Sequence, residues 1–162
     1  MNIDRIASRS SIRVVDYSTE YASQAVEIAR EMHANSVYRD MPLDEEKTIR
    51  QLNYSGTEVA PDRYFRIAVR GDELMGGFYG IVRRTFFCDE INAHDLGWWV
   101  KQTARGSAAA VLLLNDFSSW ARAKGARLVM VGQSTGINIE RTTRLYEHCG
   151  FRVIGFNTVK EL

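Results

Sequence analysis

The residues with the clearest chemical potential lie between an apolar aromatic run and a segment with helical character. Residues 96–114 read LGWWVKQTARGSAAAVLLL, in which the small residues Gly106 to Ala110 separate the apolar run Leu96 to Val100 from an amphipathic stretch. A helix that begins directly after such a loop leaves its first backbone N–H groups unpaired and directed at the loop. Small side chains let an anionic group approach those donors. The stretch therefore predicts a site for phosphate or pyrophosphate.

The elements that must position this loop follow an α+β order. Residues 11–17 have the pattern of a strand. Ser18, Thr19 and Glu20 then offer a cap to a helix that keeps apolar spacing as far as Met32, and residues 41–52 predict a second helix. Three strands that pair as antiparallel neighbours are expected next, then a helix, a short buried strand, a helix and a last strand or two. Their predicted ranges are 64–70, 74–84, 90–100, 108–124, 126–133, 139–151 and 152–162. This order predicts an α+β sandwich around a mixed sheet.

The composition is that of a single globular domain. The chain has 162 residues, of which 45% are hydrophobic, and contains no internal repeat or linker. Residues 1–10 are polar and are expected to form a flexible tail, which leaves residues 11–162 as one domain. Lys and Arg number 21 against 20 Asp and Glu, a balance that argues against a nucleic-acid partner.

Other classes of function find little support. The N-terminal residues have no apolar core of a secretory signal, and the run AAAVLLL is too short to span a bilayer, so no membrane partner is expected. Cys88 and Cys149 lie far apart and predict reduced thiols in a cytoplasmic protein. His33 and His148 have no ligand spacing with an acid or a cysteine, so no metal site is predicted.

The pair Trp98–Trp99 could stack on nucleic-acid bases. Strand alternation, however, sends one ring to each side of the sheet. Packing against the flanking helices therefore explains both rings more simply.

Two motifs resemble those of the GNAT superfamily of N-acetyltransferases. In the first, Arg105 and Gly106 match the start and Ala110 the last small position of an R-G-x-G-x-G/A loop, while Ala108 stands where the family usually has glycine. The second, ERTTRLYEHCGF, resembles the family's LYEKLGF signature and matches it at Leu145, Tyr146, Gly150 and Phe151. The segment MHANSVYRDMPLDEEK also resembles the acceptor-side helices of a branch associated with tailed phages. The resemblance implies a mixed, mostly antiparallel sheet of six to seven strands flanked by four helices.

The resemblance further implies acetyl-CoA as the acyl donor. The pyrophosphate of CoA would lie on the backbone N–H groups of Gly106, Ser107, Ala108, Ala109 and Ala110, with the charge of Arg105 nearby. The pantetheine arm would lie beside Trp98, Trp99 and Val100 like an additional strand. The backbone N–H of Val100 would then stabilise the oxyanion that forms when the thioester is attacked.

Two side chains are candidates for proton transfer. By its position in the signature, Tyr146 would protonate the departing thiolate, although it could instead simply pack with Leu145. Strict alternation puts His94 on the same face as Val100, where a neutral imidazole would take the proton of the amine. The alternatives are a hydrogen-bonded histidine at the strand margin, Glu90, Asp95 or water. Cys149 has no nearby base in sequence and is expected to be a core thiol.

Asn138 stands one residue away from the position at which the family often has an asparagine, and it could contact the pantetheine or cap the following helix. The resulting hypothesis is an acetyl-CoA-dependent N-acetyltransferase that acts on a primary amine by direct attack. Because of Ala108 and the displaced Asn138, a catalytically weak or inactive acyl-CoA-binding protein is an alternative. A protein acetyltransferase acting on lysine or an N-terminal amine is another. The acceptor would thus be a small molecule or a peptide. Folds of this type often pair through their sheets, so a homodimer is among the expected assemblies.

Overall fold

The computed structural model describes residues 11–55 and 61–160, so the predicted tail at residues 1–10 lies outside the described residues. Five strands form one sheet in the order β1-β2-β3-β4-β5. The strands are β1 (Arg13–Asp16), β2 (Arg63–Arg70), β3 (Glu73–Arg84), β4 (Ile91–Val100) and β5 (Leu128–Met130). The helices are α1 (Ala22–Ala34), α2 (Glu45–Ser55), α3 (Ala109–Ala123) and α4 (Ile139–His148).

The sheet is mostly antiparallel. The three pairings among the first four strands are all antiparallel, and those of β2 with β3 and of β3 with β4 were predicted from the sequence. Only β5 is parallel to its neighbour, and it pairs with residues 92–94 alone. Beyond residue 94, β5 therefore leaves the outer edge of β4 uncovered. The candidate site lies along this uncovered edge.

A hydrophobic core lies on each face of the sheet. On one face, Phe78 and Trp98 pack with Leu113 and Phe117 of α3. On the other face, Phe65 and Ile67 pack with Trp99 and with residues of α1. The prediction that the two neighbouring tryptophans face opposite sides of the sheet is therefore confirmed.

The predicted number of strands is wrong. The described residues form five strands rather than six to seven, because no backbone ladder joins residues 152–160 to β5. Val153, Ile154, Phe156 and Val159 are instead exposed. A short strand forms within 126–133 as predicted, but β5 has no outer neighbour and Leu128 is 57% exposed, so the prediction that this strand is buried is wrong.

A β-bulge in β4 changes which residues share a face. Tyr79 pairs with Gly97 but Gly80 pairs with Asp95, so Leu96 is an extra residue on β4. An extra residue reverses the alternation of side chains beyond it. Asp95 consequently shares the α3 face with Trp98 and Val100, and His94 lies on the opposite face. The prediction that His94 and Val100 share a face is wrong for this reason.

The helix termini agree only partly with the sequence signals. Gly125 and Gly150 follow α3 and α4 with φ of 81° and 84°, as expected of C-terminal glycines. The predicted cap at Ser18 makes no side-chain hydrogen bond, because Thr19–Tyr21 form a 3-10 turn ahead of α1. Within the described ranges, no helix has the length and apolarity that a bilayer span requires.

Gly77 provides a test of the sheet packing. A Cβ added there would lie 2.6 Å from a ring carbon of Trp99, so alanine would push this ring out of its packed position. We expect Gly77→Ala to lower the free energy of unfolding by about 1–3 kcal/mol, measured by urea denaturation. Gly155→Ala is the control, because nothing lies within 4 Å of its added Cβ. Equal stability of the two variants would contradict the packing of Trp99 on Gly77.

Candidate active site

A cavity of about 560 Å³ opens along the uncovered edge of β4. Its walls come from α1 and α2 on one side, from the loop that precedes α3, and from α4 and the segment that leads into it. The predicted site residues that line it are Trp98, Trp99, Val100, Arg105, Gly106, Ser107, Ala110, Asn138 and Tyr146. Ala108 and Ala109 belong to the same loop and helix start but do not line the cavity, and Ala109 is fully buried.

The backbone of β4 presents unused donors to this cavity. The N–H of Lys101 donates to the carbonyl of Met75, which makes Gly76 and Val100 a non-hydrogen-bonded pair of the antiparallel ladder. The N–H of Val100 therefore points away from β3, toward the side that β5 does not reach. An extended ligand lying along this edge can accept a hydrogen bond from it.

The segment from Gly106 to Ala110, which leads into α3, has the conformation of an anion-binding loop. We call this segment the anion cradle. Gly106 has a φ of 93°, which glycine adopts without strain. Ala108 has a φ of −69° and a ψ of −8°, ordinary helical angles that an alanine adopts freely. Within the described residues, no hydrogen bond uses the N–H groups of Gly106, Ala108 or Ala110, whereas that of Ala109 donates to Ser107 Oγ at 3.3 Å. The alanine at 108 therefore leaves the cradle intact.

Two arginines lie at the cradle. The guanidinium of Arg105 is 3.4 Å from the carboxylate of Glu31 on α1, and this carboxylate also accepts the N–H of Gln102 at 3.1 Å. An added Cβ on Gly106 would lie 3.2 Å from Nη2 of Arg141 on α4. Sequence reasoning missed both Glu31 and Arg141. For Arg141 a signal existed, because it precedes Leu145 by four residues and so shares the inward face of α4.

Tyr146 is held by two hydrogen bonds in the cavity wall. Its hydroxyl accepts from the indole N–H of Trp98 at 3.0 Å and donates to the carbonyl of Gly132 at 2.8 Å. Burial raises the pKa of Tyr146 to about 12, while the Trp98 donor acts in the opposite direction. The phenol therefore remains protonated near neutral pH and is available as a proton donor.

Asp95 lies on the same cavity wall as Tyr146. Its Oδ1 accepts the N–H of Gly132 at 3.0 Å, so the two backbone groups of Gly132 hold the carboxylate and the phenol. Burial raises the pKa of Asp95, and the hydrogen bond from Gly132 partly opposes this shift. A half-buried carboxylate of this kind suits proton abstraction, since its raised pKa makes it a stronger base.

The other candidate bases lie away from this wall. His94 does not line the cavity, and burial, together with the charge of Arg83, lowers its pKa. Glu90 is exposed beside the β3–β4 hairpin, where its carbonyl accepts the N–H of Thr85. The structure thus brings Asp95 to Tyr146 and leaves His94 and Glu90 apart from it.

Asn138 and Cys149 have local roles at the two ends of α4. Asn138 precedes α4 with a φ of 48° and ψ of 53°, and its carbonyl accepts the N–H of Thr142 at 3.0 Å. Its side chain makes no capping hydrogen bond, so side-chain capping is not observed. Cys149 packs against the core beside α3, and burial raises the pKa of its thiol.

Two loops that border the cavity are in contact. The N–H of Val37, after α1, donates to the carbonyl of Thr135, before α4, at 3.1 Å. The cavity wall from α1 and α2 consists of side chains that carry few charges, among them Met32, Thr48 and Leu52. A neighbouring cavity of about 420 Å³ shares Thr48 and Leu52. Among the described residues, no cluster of three His, Cys, Asp or Glu side chains has the arrangement of a metal site.

Comparison with known proteins gives a family match and a set of similar folds. The sequence model of the acetyltransferase (GNAT) family matches residues 26–151. No curated protein sequence matches the chain.

Three solved structures illustrate the shared fold. A glucosamine-6-phosphate N-acetyltransferase from Arabidopsis thaliana has a TM-score of 0.70 at 12% identity, with 93% of this chain and 98% of that chain covered. An aminoglycoside N-acetyltransferase in complex with CoA has a TM-score of 0.71 at 15% identity, with 94% and 98% covered. An acetyltransferase from Trypanosoma brucei has a TM-score of 0.67 at 15% identity, with 94% and 100% covered. At these identities the similarity is one of fold.

Proposed function

Because the chain belongs to the acetyltransferase (GNAT) family, we propose that it transfers an acetyl group from acetyl-CoA to a primary amine at the cavity beside β4. Acetyl transfer from acetyl-CoA is general to this family. The observation that carries the proposal is the position of the Tyr146 phenol on the wall of a cavity that also contains the Val100 edge and the Gly106 loop.

The donor binds through its phosphates and its pantetheine arm. The pyrophosphate accepts hydrogen bonds from the N–H groups of Gly106, Ala108 and Ala110, and Arg141 and Arg105 supply positive charge. The arm lies along the edge of β4 between Trp98 and Val100. The N–H of Val100 then donates to the thioester carbonyl and stabilises the oxyanion. Ser107, Ala109 and Asn138 shape this surface, and Trp99 supports the strand from the opposite face.

The reaction needs one proton acceptor and one proton donor. The amine nitrogen attacks the carbonyl carbon of the thioester and loses a proton to Asp95. The tetrahedral intermediate then collapses, the C–S bond breaks, and the CoA thiolate takes the phenolic proton of Tyr146. The indole N–H of Trp98 stabilises the phenolate that this step leaves. Asp95 replaces His94 in this proposal, because His94 lies on the opposite face of β4.

Release of free thiol from acetyl-CoA over a panel of small amines, amino acids and peptides tests the proposal. Thiol release that depends on the amine, with the acetylated amine identified by mass spectrometry, supports it. Binding of CoA without thiol release over the whole panel would show an acyl-CoA-binding protein instead. Transfer to polypeptides alone would show a protein acetyltransferase.

The pH dependence tests the role of Asp95. Only the ionised carboxylate accepts a proton, so kcat/KM should fall as the pH drops through the raised pKa of Asp95. We expect Asp95→Asn to lower kcat/KM by about 10²-fold at neutral pH and to remove the contribution of Asp95 to the acidic limb, which leaves only the limb that protonation of the amine substrate causes. Glu90→Gln, a change of the same kind at an exposed position, should leave the pH profile unaltered. An acidic limb in Asp95→Asn that is as steep as in the unchanged protein would assign the base to another group.

A further inference from the structure

The cavity contains very little negative charge. Among the described residues that line it, Asp95 is the only one with a carboxylate side chain. Two arginines, Arg105 and Arg141, line the same cavity at its phosphate end. The remaining wall, from α1 and α2, is built from apolar and hydroxyl side chains together with His33.

The carboxylates that lie near the cavity already have partners. Glu31 contacts both the guanidinium of Arg105 and the N–H of Gln102. In the neighbouring cavity, Asp44 accepts the N–H of Lys47 at the start of α2, at 2.8 Å. Glu31 is therefore already paired with a cation, whereas Asp44 keeps its charge but lines the neighbouring cavity and not the one beside β4.

From this distribution we infer that the acceptor is an amine with a single positive charge and an apolar body, rather than a diamine, a polyamine or an aminoglycoside. The inference rests on the proposed transfer reaction and names the substrate class of the same site. An ammonium group that leaves water for a buried wall requires a compensating negative charge. Asp95 supplies one such charge, and a second ammonium group would meet apolar side chains, Arg141 and an arginine, Arg105, that is already paired with Glu31.

The apolar wall favours the same class. Met32 of α1 and Leu52 of α2 line the cavity on the side that these two helices form. An apolar body of the acceptor would bury hydrocarbon against these side chains, which is favourable at about 25 cal/mol per Å². The amine would bind at Asp95 in its ammonium form, close to Tyr146 and to the edge of β4. It would release one proton to solvent before its neutral form attacks the thioester and gives a second proton to Asp95.

The test compares phenethylamine with 1,6-diaminohexane and spermidine, both in binding to the protein–CoA complex and in thiol release from acetyl-CoA. We expect phenethylamine to bind at least ten-fold more tightly than either 1,6-diaminohexane or spermidine. We expect the same preference in kcat/KM. Tighter binding of a polyamine, or no binding of phenethylamine, would overturn the inference. If phenethylamine binds preferentially but no thiol is released, the inference stands and the proposed transfer fails.

A negative charge introduced at Thr48 provides a second test, because it should make the cavity favour a diamine. Thr48 lines both cavities and lies in the first turn of α2, where an acidic residue is compatible with the helix. We expect Thr48→Asp to move the ratio of diamine to phenethylamine affinity at least ten-fold toward the diamine. Thr48→Asn is the matched control, because it has nearly the same size and no charge, and it should leave this ratio within about two-fold. An unchanged ratio in a folded Thr48→Asp protein, as judged by its circular dichroism, would overturn the inference.

Discussion

Replacing Tyr146 with phenylalanine is expected to lower kcat by about 10²- to 10³-fold, within the range of general acid catalysis. The substitution removes the hydroxyl that accepts from Trp98 and donates to Gly132, but it keeps the ring that lines the cavity. Since the thiolate is the leaving group, loss of its proton donor slows the chemical step. The affinity for CoA should stay within a few-fold of that of the unchanged protein, as measured by isothermal titration calorimetry.

Tyr17→Phe is the matched control for this experiment. It also removes one hydroxyl that makes a hydrogen bond, to Asn53 at 3.0 Å, but this tyrosine does not line the cavity. We expect its kcat to be unchanged. If both variants retained full kcat, the phenol of Tyr146 would not be the acid, and proton transfer to the thiolate would have to come from water.

The second large effect is expected from Ala110→Trp. Ala110 lines the cavity at the first turn of α3, and its backbone N–H is among the unused donors of the cradle. An indole at this position would occupy the space that a pyrophosphate needs in order to reach the loop. We expect the affinity for CoA to fall by at least ~10²-fold, which corresponds to about 2.7 kcal/mol.

Ala123→Trp controls for the effect of a large side chain on α3. Ala123 is exposed at the opposite end of the same helix, so an indole there projects into solvent. This variant should bind CoA with unchanged affinity, and both variants should keep the circular dichroism of the folded protein. Unchanged CoA binding by a folded Ala110→Trp protein would show that the cradle is not the phosphate site.

Much of the fold and part of the site follow from local sequence patterns. The strand that ends at Val100, the small residues from Gly106 to Ala110 and the helix after them were all predictable, because periodicity and glycine preferences act over a few residues. The position of Tyr146 on α4 was predictable for the same reason. The family resemblance then gave these residues their expected roles.

The choice between His94 and Asp95 could not be made from the sequence. Strict alternation assigns the two residues to the wrong faces, because it takes no account of the extra residue at Leu96. A bulge is defined by two strands at once, here by the register of β4 against β3. The pattern of a single strand does not contain that information.

Contacts between segments that are distant in sequence could not be predicted from the sequence either. Arg141 lies against the loop at Gly106, and Gly132 joins Asp95 to Tyr146, although these residues are far apart in sequence. The number of strands also depended on whether residues 152–160 pair with β5, and in the described structure they do not.

By itself, the sequence determined the order of the elements as far as α4, the loop of small residues before α3 and the position of Tyr146, since each depends on neighbouring residues. Only the tertiary structure decided which carboxylate lies on the same wall as Tyr146, which arginine lies against the loop at Gly106 and how few carboxylates line the cavity. These properties arise where β4, α1, α2 and α4 meet. Their geometry is fixed by strand register and helix packing rather than by any local pattern.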